Sequence, residues 1–237
     1  MRFPWPCLLA GFLVCGSAQG VKVQTTPLDS GWELIHEEGP VRVYSQPRAE
    51  GRPMGIRGIS RARVRFEVLA SVLLDVPAYP EWMKQLRESR VVERRSDDDY
   101  LIYNYYSLPW PFADRDIYLR INIERNIPQG RAFAYIRREE SHLRPPVPGV
   151  VRIPRMEGVL QLDYVDRETT QGTFTEWFDM GGDIPEWLKR TFTRHIPPTV
   201  LKSVAKACQR PEYQKKGAES PLRLQVEQAL AAGQLHP

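Results

Sequence analysis

Cysteine is scarce in this chain, with three residues among 237. Two of them, Cys7 and Cys15, lie within the first 20 residues, which we interpret below as a segment that is removed. The rest of the chain then keeps Cys208 alone, so an internal disulfide and a cysteine-rich metal site are excluded. The sequence predicts no bound metal and no cofactor, because the histidines are also dispersed and include no metal-ligand pair: His36, His142, His195 and His236.

A strong excess of charge is lacking as well. The formal net charge is +4 at pH 7, the basic residues are spread along the chain, and no recognition motif for DNA or RNA occurs. Nucleic acid is therefore not an expected partner. Internal repeats and low-complexity segments are also absent, and 42% hydrophobic with 26% charged residues is typical of one globular domain.

Long apolar runs are lacking too. The run from Cys7 to Cys15 has nine residues, whereas a transmembrane helix needs about 20. Arg2 precedes this run, and small residues such as Ala18 and Gly20 follow it, as a signal peptidase requires. We therefore expect residues 1–20 to be a cleaved signal peptide and the protein to be exported, to a periplasm or otherwise secreted.

Short alternating segments separated by turn residues make up most of the remaining chain. One helix is predicted near Phe66–Leu74, where apolar residues recur at helical spacing. Short strands with hairpin-like spacing favour an antiparallel sheet, which gives an α+β fold class. The predicted strands are Val41–Ser45, Gly55–Val64, Ser89–Arg94, Tyr100–Ser107, Arg115–Glu124, Ala132–Arg138, Val150–Ile153, Val159–Val165 and Thr173–Phe178.

The strand that begins at Arg115 alternates cleanly. Ile117, Leu119, Ile121 and Ile123 share one face, which we expect to point toward the last helix. Arg115 has the same parity and is therefore expected to point inward. A buried guanidinium needs a partner, which could be a structural carboxylate or the head group of an anionic ligand.

The last long helix is predicted after Gly181-Gly182, with an apolar side at Ile184–Ile196. Pro197 and Pro198 interrupt it, because proline removes a helical donor and clashes with the preceding turn. The apolar residues beyond the prolines lie about half a turn away from the first set. We therefore expect the helix to kink or restart there and the second segment to pack elsewhere. The break could be a hinge for ligand entry or a static kink.

Four segments together resemble the START domains, the lipid-transfer modules related to steroidogenic acute regulatory protein. The family's opening helix and strand resemble Gly31–Leu34 with Val41–Tyr44, and the segment after its second helix resembles Leu73–Asp75 with Tyr79–Trp82. Its Pro-x-Pro, Arg-Asp signature is similar to Pro109–Phe112 with Arg115-Asp116, and its entry to the closing helix resembles Gly181–Leu188.

The resemblance implies a helix-grip fold, in which a curved antiparallel β-sheet wraps around a C-terminal helix and leaves an internal hydrophobic tunnel. It covers a START-like lipid-binding domain at residues 21–210. Residues 211–237 have no counterpart and are expected to be an appendage, with at most one short helix capped by Ser220 and Pro221.

The activity implied by the resemblance is the binding and transfer of one lipid or lipid-like molecule by a monomer, with transient membrane contact and without chemistry. Ordinary core packing is an alternative role for most of the candidate tunnel residues. The candidate lipid-binding residues are Tyr103, Tyr105, Trp110, Arg115, Ile117, Leu119, Ile121, Phe133, Tyr135, Trp177, Leu188, Phe192 and Ile196.

Two other classes of function are weighed against a carrier. Related helix-grip folds include cyclases and aromatases, and Asp114, Arg115 and Asp116 could form an acid–base cluster, although salt bridges are the simpler role. Cys208 lies on an apolar stripe, which predicts a buried, inert thiol. An interaction module could instead present alternating arginines to anionic lipid, although a solvated strand face is the simpler explanation: Arg61, Arg63 and Arg65.

Overall fold

The computed structural model describes residues 31–46, 54–140 and 147–237. The predicted signal peptide and His142 lie outside these residues. Within the described ranges, no helix combines the length and the apolar character that crossing a bilayer requires.

A curved antiparallel sheet of ten strands is the largest structural unit among the described residues. Its order is β1-β2-β3-β10-β9-β7-β6-β5-β4, and the short β8 adds a parallel pair to β6. The strands are β1 Glu33–Glu38, β2 Val41–Gln46, β3 Met54–Ala62, β4 Leu86–Arg94, β5 Asp99–Tyr106, β6 Asp114–Asn126, β7 Arg131–Arg138, β8 Val150–Arg152, β9 Arg155–Asp166 and β10 Thr169–Asp179. The predicted α+β helix-grip fold is confirmed.

Within the described ranges, five α-helices accompany the sheet, and α3 is the longest of them. It contacts β1, β2 and β3 and also α1 and α2, so it closes the concave side of the sheet. The helices are α1 Phe66–Leu74, α2 Tyr79–Trp82, α3 Glu186–Ala207, α4 Pro211–Glu219 and α5 Pro221–Ala231, with 3₁₀ turns at Val76–Ala78 and Ile127–Gln129.

Strand β6 shows how the sequence pattern builds the concave face. Ile117, Leu119 and Ile121 are buried in one apolar cluster, as the alternation predicts. The opposite face is buried as well, because Arg120 is fully inaccessible and its Nε lies 2.7 Å from a carboxylate oxygen of Glu139. The buried charge of Arg120 is therefore balanced by ion pairs and not by contact with water.

Strand β1 corrects one expectation from the resemblance. Gly31–Leu34 was matched to an opening helix, but Glu33–Glu38 is a strand that pairs antiparallel with β2. The two strands join at Gly39, whose φ of 56° suits the tight turn. Hairpin pairing with β2 therefore prevails over any local helical preference.

Helix α3 corrects part of a second expectation, because it continues through both prolines and does not restart there. The segment beyond them does not pack elsewhere: Val200 and Leu201 line the same cavity as Ile196. Apolar contacts on both sides of the two prolines hold the helix together, although the prolines lack two backbone hydrogen-bond donors.

The C-terminal residues form two helices where at most one was expected. Helix α5 begins as predicted, with the Ser220 hydroxyl accepting a hydrogen bond from the Arg223 amide. Helix α4 was missed, and it packs on α1, with Gly217 against Val68. The last 27 residues therefore contribute to the apolar core around α1, through Tyr213, Val226, Ala229 and Leu235.

Candidate functional site

A cavity of about 320 Å³ lies between the concave face of the sheet and the helices α1, α2 and α3. Strands β3, β5, β6, β9 and β10 each contribute side chains of one parity, as expected for one face of a sheet. Most of the lining is apolar, with Ile102, Leu119, Ile121, Leu160, Leu162 and Phe174 from the sheet and Leu69, Leu73, Ile196, Val200, Leu201 and Val204 from the helices.

Two polar side chains on β5 interrupt this apolar lining. Asn104 and Tyr106 both face the cavity, and the Asn104 amide nitrogen donates to the Tyr106 hydroxyl oxygen over 3.2 Å. The Ser89 hydroxyl donates to the Asn104 amide oxygen at 2.7 Å, which fixes the orientation of the amide. Burial raises the pKa of Tyr106, and the negative charge of Glu176 raises it further against the effect of Asn104. The Tyr106 hydroxyl therefore stays protonated and can donate a hydrogen bond.

Glu176 on β10 is the acidic side chain of the lining. It shares its face with Phe174 and Phe178, and no hydrogen bond or ion pair joins it to another described residue. Burial raises the pKa of this carboxyl from 4.5 to about 7. Among the described residues, the lining of this apolar cavity thus contains one carboxyl group, which can change its charge near neutral pH.

A family model of the START domain matches residues 21–214. This chain belongs to the START domain family. Mouse (Mus musculus) phosphatidylcholine transfer protein is 28% identical over 195 residues, which cover 78% of this chain and 86% of that protein.

Solved START structures have the same fold. A STAR-related lipid transfer protein from Xanthomonas axonopodis is 27% identical, with a TM-score of 0.67 over 76% of this chain and 99% of that one. Human StAR-related lipid transfer protein 5 has a TM-score of 0.67 at 18% identity, covering 76% of this chain and 88% of that one, and this likeness concerns the fold alone.

Arg115 anchors the entry to the closing helix of this START domain. Its guanidinium donates to the backbone carbonyls of Ala113, Gly181 (3.0 Å) and Met180 (3.4 Å), and the residue is 2% exposed. Gly182 has a φ of 66°, and a Cβ atom there would lie 3.1 Å from the guanidinium. Burial lowers the pKa of Arg115, although the charge of Asp114 opposes this.

The structural role expected for Arg115 therefore takes a different form. The sequence suggested a carboxylate partner or a ligand head group, but among the described residues its partners are backbone carbonyls. The alternation of β6 could show that the side chain points inward. It could not show that a glycine turn distant in sequence would supply the acceptors.

The neighbouring carboxylates of β6 are used in structural contacts. The Arg152 Nη2 donates to an Asp116 oxygen at 2.9 Å, and the Tyr105 hydroxyl donates to Asp114 at 2.7 Å. Burial opposes ionisation of Asp114, but hydrogen bonds from Leu108 and Tyr105 lower its pKa overall. The possible acid–base cluster is thus a set of ion pairs and hydrogen bonds, as the simpler interpretation held.

Several of the predicted lipid-binding residues lie around the cavity. Leu119, Ile121 and Ile196 line it directly. Ile117 lies on the same face of β6 in the adjoining apolar cluster, and Leu188 packs with Leu108 and Ile184 near the start of α3. The side chain of Phe192 lies outside the described part of the chain.

The predicted aromatic residues are placed elsewhere, which does not fit contact with a ligand in this cavity. Strand alternation puts them on the opposite face, where Tyr103 packs on Tyr118, Phe133 stacks on Tyr135, and Trp177 packs on Trp32. Tyr105 lies on that face as well, and Trp110 is 92% exposed in the loop after β5. The parity of these strands could not be fixed from sequence.

Sequence reasoning also missed residues that do face the cavity: Asn104, Tyr106, Phe174, Glu176 and Phe178. The segment Phe174–Phe178 carried a usable signal. Its alternation places a glutamate between two phenylalanines on one face, and a carboxyl group in an aromatic setting is unusual for an ordinary core.

Proposed function

We propose that this protein binds one lipid or other hydrophobic molecule in the cavity under α3 and transfers it between membranes without chemistry, in an exported compartment. The observation that carries the proposal is the cavity itself, which lies between the sheet and three helices and is lined mostly by apolar side chains. Membership of the START family and the similarity to phosphatidylcholine transfer protein support it. The signal-peptide pattern of residues 1–20 supports export.

The groups that the sequence singled out for possible chemistry, Cys208, Asp114 and Asp116, have structural environments, which supports a carrier over a cyclase-type enzyme. Burial raises the pKa of the Cys208 thiol to about 12, so the thiolate needed for nucleophilic attack is scarce. Asp114 and Asp116 are engaged in the contacts described above. In the described part of the chain, no three His, Cys, Asp or Glu side chains are grouped to hold a metal ion.

An exposed aromatic surface supports transient membrane contact. Trp110 is 92% exposed and Trp187, in the first turn of α3, is 57% exposed. Phe112 packs edge-on against Trp187, with ring centroids 6.5 Å apart. Indole rings partition to the membrane interface, so these residues could hold the START domain on a bilayer while a lipid enters or leaves.

Gly172 offers a direct test of the cavity. It lines the chamber, and the nearest atom to a Cβ built there is Leu162 Cδ2 at 3.8 Å, an ordinary contact. Gly172→Phe should therefore place a phenyl ring inside the cavity, in the space that a lipid would occupy, with little strain in the strand. Thr173→Phe is a matched control, because the next residue of the same strand points to the other face.

The experiment measures transfer of fluorescent phospholipid, sterol and fatty acyl probes between donor and acceptor vesicles. We expect transfer by the wild type and by Thr173→Phe, and loss of transfer by Gly172→Phe. Equal transfer by all three proteins would contradict the assignment of the cavity. Conversion of a probe to a product would instead favour the cyclase-type alternative.

A further inference from the structure

Glu176 is the residue of the cavity that the proposed function leaves unexplained. Its carboxyl group lies on the inner face of β10, and the described lining includes no lysine, arginine or histidine to balance its charge. An ionised carboxyl group in an apolar cavity without a partner is costly, and a glutamine or leucine of similar size would avoid that cost. An ordinary structural role therefore does not account for a glutamate at this position.

The surroundings of Glu176 indicate which ligand groups would suit it. Phe174 and Phe178 flank it on the same strand, and Tyr106 is close enough for the charge of Glu176 to raise the pKa of its hydroxyl. The Tyr106 oxygen already accepts from Asn104, so its own proton is available for a ligand acceptor. A carboxylate beside aromatic rings suits a positively charged nitrogen, through charge pairing and cation–π attraction.

The Glu176 carboxyl group disfavours lipids with other kinds of polar end. An anionic end, such as a fatty acid carboxylate, would meet like charge with no cationic side chain in the described lining to offset it. A neutral hydroxyl could donate to Glu176, but it would be accommodated nearly as well by a glutamine.

We propose, on the basis of the lipid-binding function proposed above, that Glu176 is the head-group site of the cavity. It selects lipids whose polar end carries a positively charged nitrogen, an amine or a quaternary ammonium, over lipids with an anionic end. Phe174, Phe178 and Tyr106 supply the aromatic part of this site.

Selection by charge makes binding depend on pH. The free Glu176 carboxyl has a pKa of about 7, and a cationic ligand binds its ionised form. The ionised fraction rises from about one tenth at about pH 6 to about nine tenths at about pH 8, so the affinity for a cationic ligand should rise about tenfold. The affinity for a neutral ligand should stay nearly constant across the same interval.

The test compares three probes that share a dodecyl chain: dodecyltrimethylammonium, dodecanol and dodecanoate, each below its micelle concentration. Their affinities are measured by displacement of Nile red at about pH 6 and about pH 8. The proteins are the wild type, Glu176→Gln and the control Glu157→Gln, which changes an exposed glutamate on the neighbouring strand β9.

We expect the wild type and Glu157→Gln to prefer the cation, with a preference that rises about tenfold between the two pH values. Glu176→Gln should bind the cation about tenfold more weakly at the higher pH, lose the pH dependence, and bind dodecanoate better.

Three results would overturn the proposal. Glu176→Gln could keep the wild-type preference and pH dependence, the wild type could lack both, or loss of Glu176 could weaken dodecanol as much as the cation. If Glu176→Gln does not fold, the pH dependence of the wild type alone still decides. Failure of every protein to bind even dodecanol would contradict the lipid-binding function itself, whereas normal dodecanol binding without charge selection would contradict only the role of Glu176.

Discussion

Replacing Glu176 by glutamine should stabilise the ligand-free protein, and the gain should depend on pH. The folded state raises the pKa of this carboxyl from 4.5 to about 7, so the folded protein holds the proton more tightly than the unfolded chain. The free energy of unfolding of the wild type therefore falls as pH rises from about 4.5 to about 7 and stays low above that range. Glutamine has no proton to lose and escapes this penalty.

The magnitude follows from the difference between the two pKa values. Each pKa unit corresponds to about 1.4 kcal/mol, so the full penalty is about 3 kcal/mol, and water inside the cavity reduces it by screening. We therefore expect Glu176→Gln to be more stable than the wild type by about 1–3 kcal/mol at pH 8, with little difference at pH 4.

Urea denaturation of delipidated protein across this pH range measures the effect, with Glu157→Gln as the control for removing a glutamate charge. The control should track the wild type, because Glu157 is exposed. A variant Glu176→Gln that is less stable than the wild type at pH 8 would refute the reasoning. A stability difference that does not change with pH would do the same, since it means that folding does not shift the pKa of the carboxyl group.

Three further predictions concern other parts of the molecule. Trp110→Ala with Trp187→Ala should weaken co-sedimentation with vesicles while changing the free energy of unfolding by about 0.5 kcal/mol or less at Trp110, which is exposed, and by about 1 kcal/mol at Trp187, which also packs on Phe112; unchanged vesicle binding would contradict the proposed membrane contact through these two tryptophans. Arg115→Met should cost about 1–3 kcal/mol in thermal or urea unfolding, because it strands buried carbonyls, while probe binding in the cavity persists; selective loss of anionic ligands without loss of stability would restore the head-group role. Cys208 should react with a thiol reagent at neutral pH only as the protein unfolds, because burial raises its pKa to about 12; rapid labelling of the native protein would contradict its burial.

The fold could be predicted from sequence because two kinds of information agreed. Alternation in β6 identified the concave face, and the order of the four family segments identified the curved sheet with its closing helix. The failures come from tertiary contacts that local patterns do not encode. Glu33–Glu38 became a strand through pairing with β2, and α3 stayed continuous at Pro197 because side chains beyond the prolines still reach the cavity.

The site was harder to predict than the fold. Residues on one strand exchange faces if the register shifts by one, so choosing aromatic residues without fixing parity selected Tyr103 and Trp177 on the outer face. Leu119 and Ile121 were found because β6 has a clean alternation. Glu176 was missed because a lone glutamate in a strand is normally solvated, and its enclosure depends on helices and strands distant in sequence.

The central claim is that the cavity holds one lipid-like molecule, and native mass spectrometry tests it most directly. Purified wild-type protein, Gly172→Phe and Thr173→Phe would each be incubated with vesicles, re-isolated and weighed intact. We expect the wild type and Thr173→Phe to carry one lipid per polypeptide and Gly172→Phe to have the mass of the polypeptide alone. A wild-type protein that carries no lipid, or a Gly172→Phe protein that carries as much as the wild type, would contradict the account.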